Sequence, residues 1–290
     1  MSGTWTVSTA EKISIDEPVR KLKIRMLAGA VNVVAGEGPA RLEISEIEGP
    51  AVEVTLADGE LVVGYPDLAW KEFGWKSLSG LVDKWRTKRR VVVSVVAPPE
   101  VDVEIGSASA NTVVSGVRGP VKVNTASGDV TLVRVSGPIE TNTVSGAVET
   151  HATSGPLKAN TVSGALTVFA GGGGAVKANS VSGPMTVDLD RPLSGDVELN
   201  NVSGEVAVRI PAPTDTRVQA DTTSGDVSSS FDELTVGGMW GAKRITGTLG
   251  KGTNRLKITT VSGSVAVLRR PADEEPGEPA AIEFNKEDLA

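Results

Sequence analysis

Asn124-Thr125-Ala126-Ser127-Gly128 decides the fold, because it comes back. It recurs as Asn142-Thr143-Val144-Ser145-Gly146, as Asn160-Thr161-Val162-Ser163-Gly164 and as Asn179-Ser180-Val181-Ser182-Gly183. Later copies are Asn200-Asn201-Val202-Ser203-Gly204, Asp221-Thr222-Thr223-Ser224-Gly225 and Thr259-Thr260-Val261-Ser262-Gly263. Successive copies lie 18, 18, 19, 21, 21 and 38 residues apart. The last interval is close to two repeats, or to one repeat carrying an insertion. A fixed period of this length is the signature of a stacked-repeat architecture.

Between the copies lies a weaker half-repeat, whose turn is Ser136-Gly137, Ser154-Gly155 and Ser194-Gly195. Each repeat is therefore two segments, and apolar residues alternate after each turn. One segment aligns Val130, Val148, Leu166, Met185, Val206, Val227 and Val265. The other aligns Val121, Ile139, Leu157, Val176, Val197, Val218 and Leu256. Period-two alternation places such residues on one face of a strand. A single strand cannot bury that face alone, so the copies are expected to stack at ~4.8 Å into two facing sheets. Ser-Gly is expected to make the turns, with glycine accepting a positive φ. The predicted fold is all-β: a single β-solenoid of two-strand coils of about 18–21 residues, with a short helical excursion. In the stack Asn124, Asn142, Asn160, Asn179 and Asn200 form a column whose amides are expected to bond along the axis and seal a turn. The sequence leaves open whether that ladder faces in or out.

Composition agrees. The chain has 33 glycines, 16 prolines and 3% aromatic residues, which suits short strands and tight turns. It has no cysteine, so neither a disulfide nor a thiolate metal site is available. No stretch approaches the ~20 apolar residues of a membrane-spanning helix. The start of the chain lacks a basic region followed by an apolar run, so a cytoplasmic location is expected. The net charge of -7 is concentrated in the last residues. Asp273, Glu274, Glu275, Glu278, Glu283, Glu287 and Asp288 face only Lys286, which leaves the body close to neutral and gives no reason to expect nucleic-acid binding.

Three regions are distinguished. Residues 1–97 read as irregular β-coils, with strand pairs such as Leu22/Ile24 and Leu61/Val63. Residues 98–270 hold the regular repeats, interrupted at 231–252 by a loop or hairpin expected to close the far end. Residues 271–290 read as a disordered acidic tail. Within the first region, residues 67–90 break the pattern. Leu78, Leu81, Val82 and Trp85 have helical spacing, preceded by Trp70, Phe73 and Trp75. Lys76, Lys88, Arg89 and Arg90 contribute to a net charge of +4. The segment reads either as a cap over a solenoid edge or as a contact for an anionic membrane surface or a protein partner.

Catalytic chemistry finds little support. His151 is the single histidine and has no Cys or second His near it in sequence. Gly171 to Gly174 is not followed by the Lys-Ser/Thr of a phosphate loop. Asp129, Asp196 and Asp226 follow Ser-Gly turns without the nonapeptide of calcium-binding β-rolls, and read as solvated carboxylates. No cofactor is expected.

The chain resembles the bacterial putative-adhesin family of β-strand-repeat proteins, a domain of unknown function. The resemblance rests on Val208-Arg209-Ile210-Pro211, Val93-Ser94-Val95-Val96-Ala97-Pro98, Leu27-Ala28-Gly29-Ala30-Val31-Asn32-Val33 and the Thr-x-Ser-Gly-x-Val copies from Thr125 to Val265. It covers roughly residues 20 to 268 and implies a fold but no catalytic residues. The leading expectation is a non-catalytic structural or protein-interaction scaffold, not an enzyme. Its contact would be made through 67–90, and its solenoid ends are available for self-association. The runner-up is a surface adhesin exported by an unrecognised route. A carbohydrate-active β-helix enzyme is third, lacking an evident carboxylate cluster.

Overall fold

The computed structural model describes residues 3–67, 89–171, 174–239 and 241–271. In chain order the strands are β1 (Gly3–Val7), β2 (Glu11–Ile15), β3 (Lys21–Ala35), β4 (Ala40–Glu48), β5 (Val52–Ala57), β6 (Glu60–Gly64), β7 (Arg90–Ala97) and β8 (Asp102–Ser115). The regular coils follow as β9 (Val121–Thr125), β10 (Val130–Val133), β11 (Ile139–Thr143), β12 (Val148–His151), β13 (Leu157–Thr161), β14 (Leu166–Gly171), β15 (Val176–Asn179) and β16 (Met185–Leu189). The last are β17 (Val197–Asn200), β18 (Val206–Ile210), β19 (Thr216–Thr222), β20 (Val227–Ser229), β21 (Leu234–Met239), β22 (Ala242–Leu249), β23 (Asn254–Thr260) and β24 (Val265–Arg269).

These strands form two facing layers. Sheet 1 runs β1-β5-β6-β3-β8-β9-β11-β13-β15-β17-β23-β19-β22-β21. Sheet 2 runs β2-β4-β7-β3-β8-β10-β12-β14-β16-β18-β24-β20. The long strands β3 and β8 turn from one layer into the other and belong to both. Every pairing between β6 and β19 in sheet 1, and between β7 and β20 in sheet 2, is parallel. Antiparallel strands appear only at the ends. The alternating residues fill the space between the layers: Val121, Ile139, Leu157 and Val176 from sheet 1 and Val130, Val148, Leu166 and Met185 from sheet 2 are all buried. The β-solenoid expected from the repeat is therefore the fold.

Two expectations need correction. Among the described residues there is no helix: Asp67 lies in a turn and Arg90 opens β7. The helical spacing itself falls on residues 68–88, which lie outside the described residues. The turn glycines also serve a different purpose from the one expected. Gly128, Gly146, Gly164, Gly183, Gly204, Gly263 and Gly225 do not have positive φ. Each lies so close to the glycine carbonyl or backbone of the coil beside it that a Cβ would stand about 2 Å from an oxygen, at 2.1 Å for Gly146. Close approach of backbones demands glycine here. The positive φ occurs at the opposite corner, at Gly116 and then at Arg134, Ala152 and Ala170 (φ 74, 51, 51 and 49°).

The coils are also not stacked in chain order. The last coil, β23-β24, sits between β17-β18 and β19-β20. After β20 the chain forms the β21-β22 hairpin, whose second strand pairs antiparallel with the outer edge of β19. Residues 250–253 then cross the start of β19 and lay β23 along its inner edge. Asp215 fixes the crossing: its side chain accepts the Lys251 N–H at 2.7 Å, and its carbonyl accepts the Asn254 N–H at 3.1 Å. The 38-residue interval in the repeat is this detour. A similar inversion at the other end places β3 between the β6-β7 coil and β8.

Candidate functional site

The corner that carries the repeated motif joins sheet 1 to sheet 2. Alternation continues through it, so the threonine points in and the asparagine points out. Thr125, Thr143, Thr161, Ser180, Asn201, Thr260 and Thr222 are buried. Apart from Asn201, each accepts the backbone N–H of the glycine three residues on, at 3.0–3.1 Å. Asn201 instead donates to the Gly204 carbonyl at 2.9 Å. The motif's serine donates to the neighbouring coil: Ser145 to the Ala126 carbonyl, Ser163 to Val144 and Ser182 to Val162, at 3.2–3.3 Å. Thus the threonine closes the turn within a coil and the serine ties one coil to the next. The sequence displayed both residues without revealing this division of work.

The asparagine ladder is present and stands on the outer, half-buried face of sheet 1. Asn142 donates to Asn124, Asn160 to Asn142 and Asn179 to Asn160, each at 2.8 Å, and Asn200 donates to Asn179 at 3.0 Å. Beside it the strand register builds a second column: Lys23, Glu104, Lys122, Glu140, Lys158, Lys177, Glu198, Lys257 and Gln219. Glu140 lies between Lys122 and Lys158, at 3.6 and 3.5 Å. Burial pushes its carboxyl up, but the two ammoniums and the hydrogen bonds from Asn142 and Lys158 outweigh this and hold it below the usual carboxylate value. Lys177 bonds Glu198 at 3.0 Å and, with Asn200, holds that carboxyl down as well. An open cleft of about 780 Å³ runs between this column and the row Pro120, Pro138 and Pro156. No aromatic side chain lines it, and its lysines are already matched by carboxylates.

The motif's variable position forms a ridge along the same corner. Val181, Val202 and Val261 are 48, 45 and 50% exposed, and Val144 and Val162 continue the row half-buried. They account for three of the five large apolar side chains most open to solvent among the described residues.

The described chain stops at Asp67 and resumes at Arg89 on this corner too, between β6 of sheet 1 and β7 of sheet 2. Trp70, Phe73, Trp75, Lys76, Leu78, Leu81, Trp85 and Lys88 all lie outside the described residues. Arg89 and Arg90 are described. Arg89 Nη1 donates to both carboxylate oxygens of Asp67 at 2.8 Å, and its guanidinium stacks 5.1 Å from the Tyr65 ring centroid. Its side chain is 14% exposed, so it closes the neck of the segment rather than joining a basic surface. Tyr65 is buried, which pushes its phenol up, partly offset by Arg89. Arg90 is exposed, with Glu46 at 3.8 Å.

Other groups singled out by the sequence have structural partners. His151 lies 6.0 Å from the Phe169 ring and 3.7 Å from Glu149. Asp129 accepts the Ala147 N–H and Asp196 the Arg255 N–H, both at 2.9 Å, so these turn carboxylates stitch neighbouring coils together. Asp226 pairs with Lys243. The repeat gave no sign of the buried Asp188, which receives Arg209 at both carboxylate oxygens and Arg270 at 3.1 Å. Among the described residues no group of three His, Cys, Asp or Glu side chains is placed to hold a metal ion.

Parallel coils, a narrow aliphatic core and ladders at the corners define a two-sheet β-solenoid. The chain belongs to the family described as Toastrack DUF4097, whose sequence model matches residues 93–268. No curated protein matches it. Among solved structures it is similar to a putative adhesin from Bacteroides fragilis (10% identity, TM-score 0.41, covering 93% of this chain and 96% of that one). It is likewise similar to a putative lipid binding protein from Parabacteroides distasonis (13%, 0.42, 93% and 97%) and to a putative adhesin from the same organism (13%, 0.37, 90% and 96%). At these identities and TM-scores the likenesses assign no function to this chain.

Proposed function

We propose that this chain is a non-catalytic interaction scaffold whose contact with an anionic membrane surface is made by residues 68–88. The observation that carries the reading is the Asp67–Arg89 clasp. It gathers both ends of a Trp-rich, basic segment at one point of the solenoid, on the corner that also bears the exposed valine ridge. Basic residues interleaved with tryptophan suit the headgroup region, where aromatic rings and cations each find partners. The solenoid supplies a rigid support, since every coil is bonded to its neighbours on both sheets.

The test is co-sedimentation with vesicles of phosphatidylserine and phosphatidylcholine in equal parts, and with vesicles of phosphatidylcholine alone. The full chain is expected to bind the first and not the second. A variant in which residues 68–88 are replaced by a short Gly-Ser linker keeps Asp67 and Arg89 and is expected to stay folded but remain in the supernatant. Equal sedimentation of the two proteins, or none of the full chain with the anionic vesicles, overturns the membrane reading.

A further inference from the structure

Cations on the outer face of sheet 1 fall into two sets. Lys21, Lys23, Lys122, Lys158 and Lys177 each have a carboxylate within ion-pairing distance. Near the far end Lys243 and Arg244 are likewise paired, with Asp226 and Asp221. Arg217, Lys251, Arg255 and Lys257 differ: no side chain of theirs makes a hydrogen bond or ion pair with a described residue. Arg217 and Arg255 are exposed and stand directly opposite each other on β19 and β23. Like charges placed opposite on adjacent strands repel. The nearby carboxylates are occupied elsewhere. Asp196 and Asp215 accept the backbone N–H groups of Arg255 and Lys251, and Glu198 is bonded to Lys177. Lys257 reaches Glu198 only at longer range.

The described chain ends near this patch, at Pro271. The Arg270 N–H donates to the Ile210 carbonyl at 2.8 Å, and its side chain is held by Asp188. That fixes the exit at the end of β24, on the coil that β23 begins with Asn254 and Arg255. With strands ~4.8 Å and sheets ~10 Å apart, the patch lies within roughly 20 Å of the exit. About seven extended residues span that distance. Beyond the exit the sequence places Asp273, Glu274, Glu275 and Glu278, and later Glu283, Glu287 and Asp288, against Lys286 alone.

We propose that the acidic tail, residues 272–290, docks on the Arg217–Arg255 patch, with Lys251 and Lys257 at its margins. The tail supplies the carboxylates that the strands withhold, and the intact chain thereby shields from other anions the one cluster of unmatched cations found on this face among the described residues.

The protein has no cysteine, so Gly277→Cys carries a nitroxide label at a single site. Relaxation enhancement is then read on the backbone amides of ¹⁵N-labelled protein. Docking predicts strong broadening at Arg217, Val218, Arg255 and Leu256 at low salt. The broadening should fall roughly threefold or more at 1 M salt, where the screening length is about 3 Å. It should fall similarly in the exposed double variant Arg217→Glu/Arg255→Glu at low salt. Broadening that is absent, or unchanged by both salt and the double variant, overturns the proposal. A mixture of spin-labelled chain at natural isotope abundance with ¹⁵N chain that carries no spin label must leave these amides sharp. Broadening there would give the patch to the tail of a second copy and overturn the intramolecular contact.

Discussion

Gly146 shows how little freedom a single position has. A Cβ there would lie 2.1 Å from the Gly128 carbonyl oxygen and 2.7 Å from its carbon. Both obstacles are backbone held in a parallel ladder, so no rotamer change relieves them. Gly146→Ala is expected to cost about 3 kcal/mol, the upper end of ordinary overpacking. That corresponds to a fall of roughly 5 °C in Tm for a domain of this size. Gly237→Ala is the control: no atom lies within 4 Å of its Cβ position, and a thermal melt should not distinguish it from the parent. A melt that leaves Gly146→Ala level with the control contradicts the close-approach account. The sequence announced that glycine recurs at this place, but spacing cannot separate a positive φ from a crowded backbone. The asparagine ladder was legible as a column for the converse reason: repetition at a fixed offset guarantees stacking. Its outward direction follows only once Thr143, one residue on, is seen to be buried.

At the scale of the strand, what is repeated is register, and register creates contacts that no motif announces. Lys122, Glu140 and Lys158 belong to β9, β11 and β13 and meet because Ile139 aligns with Val121 and Leu157. The repeat motif contains none of the three, but each follows an aligned apolar residue, Val121, Ile139 or Leu157, by one, so their column was implied by the sequence and only the ion pairs needed the structure. Its consequence is a pH dependence. The Glu140 carboxyl is held below its ordinary value of 4.5 in the folded protein, because the ammoniums and hydrogen bonds outweigh the effect of burial. The stabilisation is therefore complete above the unfolded value and is lost as pH falls through the folded one. Glu140→Gln should lower Tm at pH 6, and the two melting curves should converge below pH 4. The carboxylate is about a third exposed, so the difference at pH 6 is expected to stay under ~1 kcal/mol. It should shrink further in 1 M salt. A gap that persists unchanged at pH 3 would assign the effect to packing rather than charge.

For the whole molecule, the order of coils matters more than their number. The parallel ladder was readable from the columns, since Val121, Ile139, Leu157 and Val176 repeat in phase. Which coil lies beside which was not: the same apolar pattern fits β19 against β17 as well as it fits β23. The structure resolves this by placing the last coil inside the stack, and the consequence is unusual for a repeat protein. Stability in such a stack is close to a sum over coils and nearest-neighbour interfaces, so removal of a terminal coil ordinarily costs one interface. Here β19 pairs only with β23 and β22, and β20 only with β24. A chain ending at Gly252 loses two interfaces, leaving β19 paired only with the β21-β22 hairpin and β20 without its partner strand. Deleting 139–156 removes β11 and β12 but joins Pro138 to Leu157, so β9 meets β13 with every apolar column in phase. Hydrogen exchange followed by mass spectrometry separates the cases. The internal deletion should keep protection throughout the remaining strands. The truncation should keep it through β3, β8 and the coils up to β16, while β19, β20 and β22 exchange as unfolded chain. Native-like protection of residues 216–249 in the truncated chain would show that the hairpin and β19 hold without the inserted coil, and the threading would then be a detail of the route rather than the lock on this end.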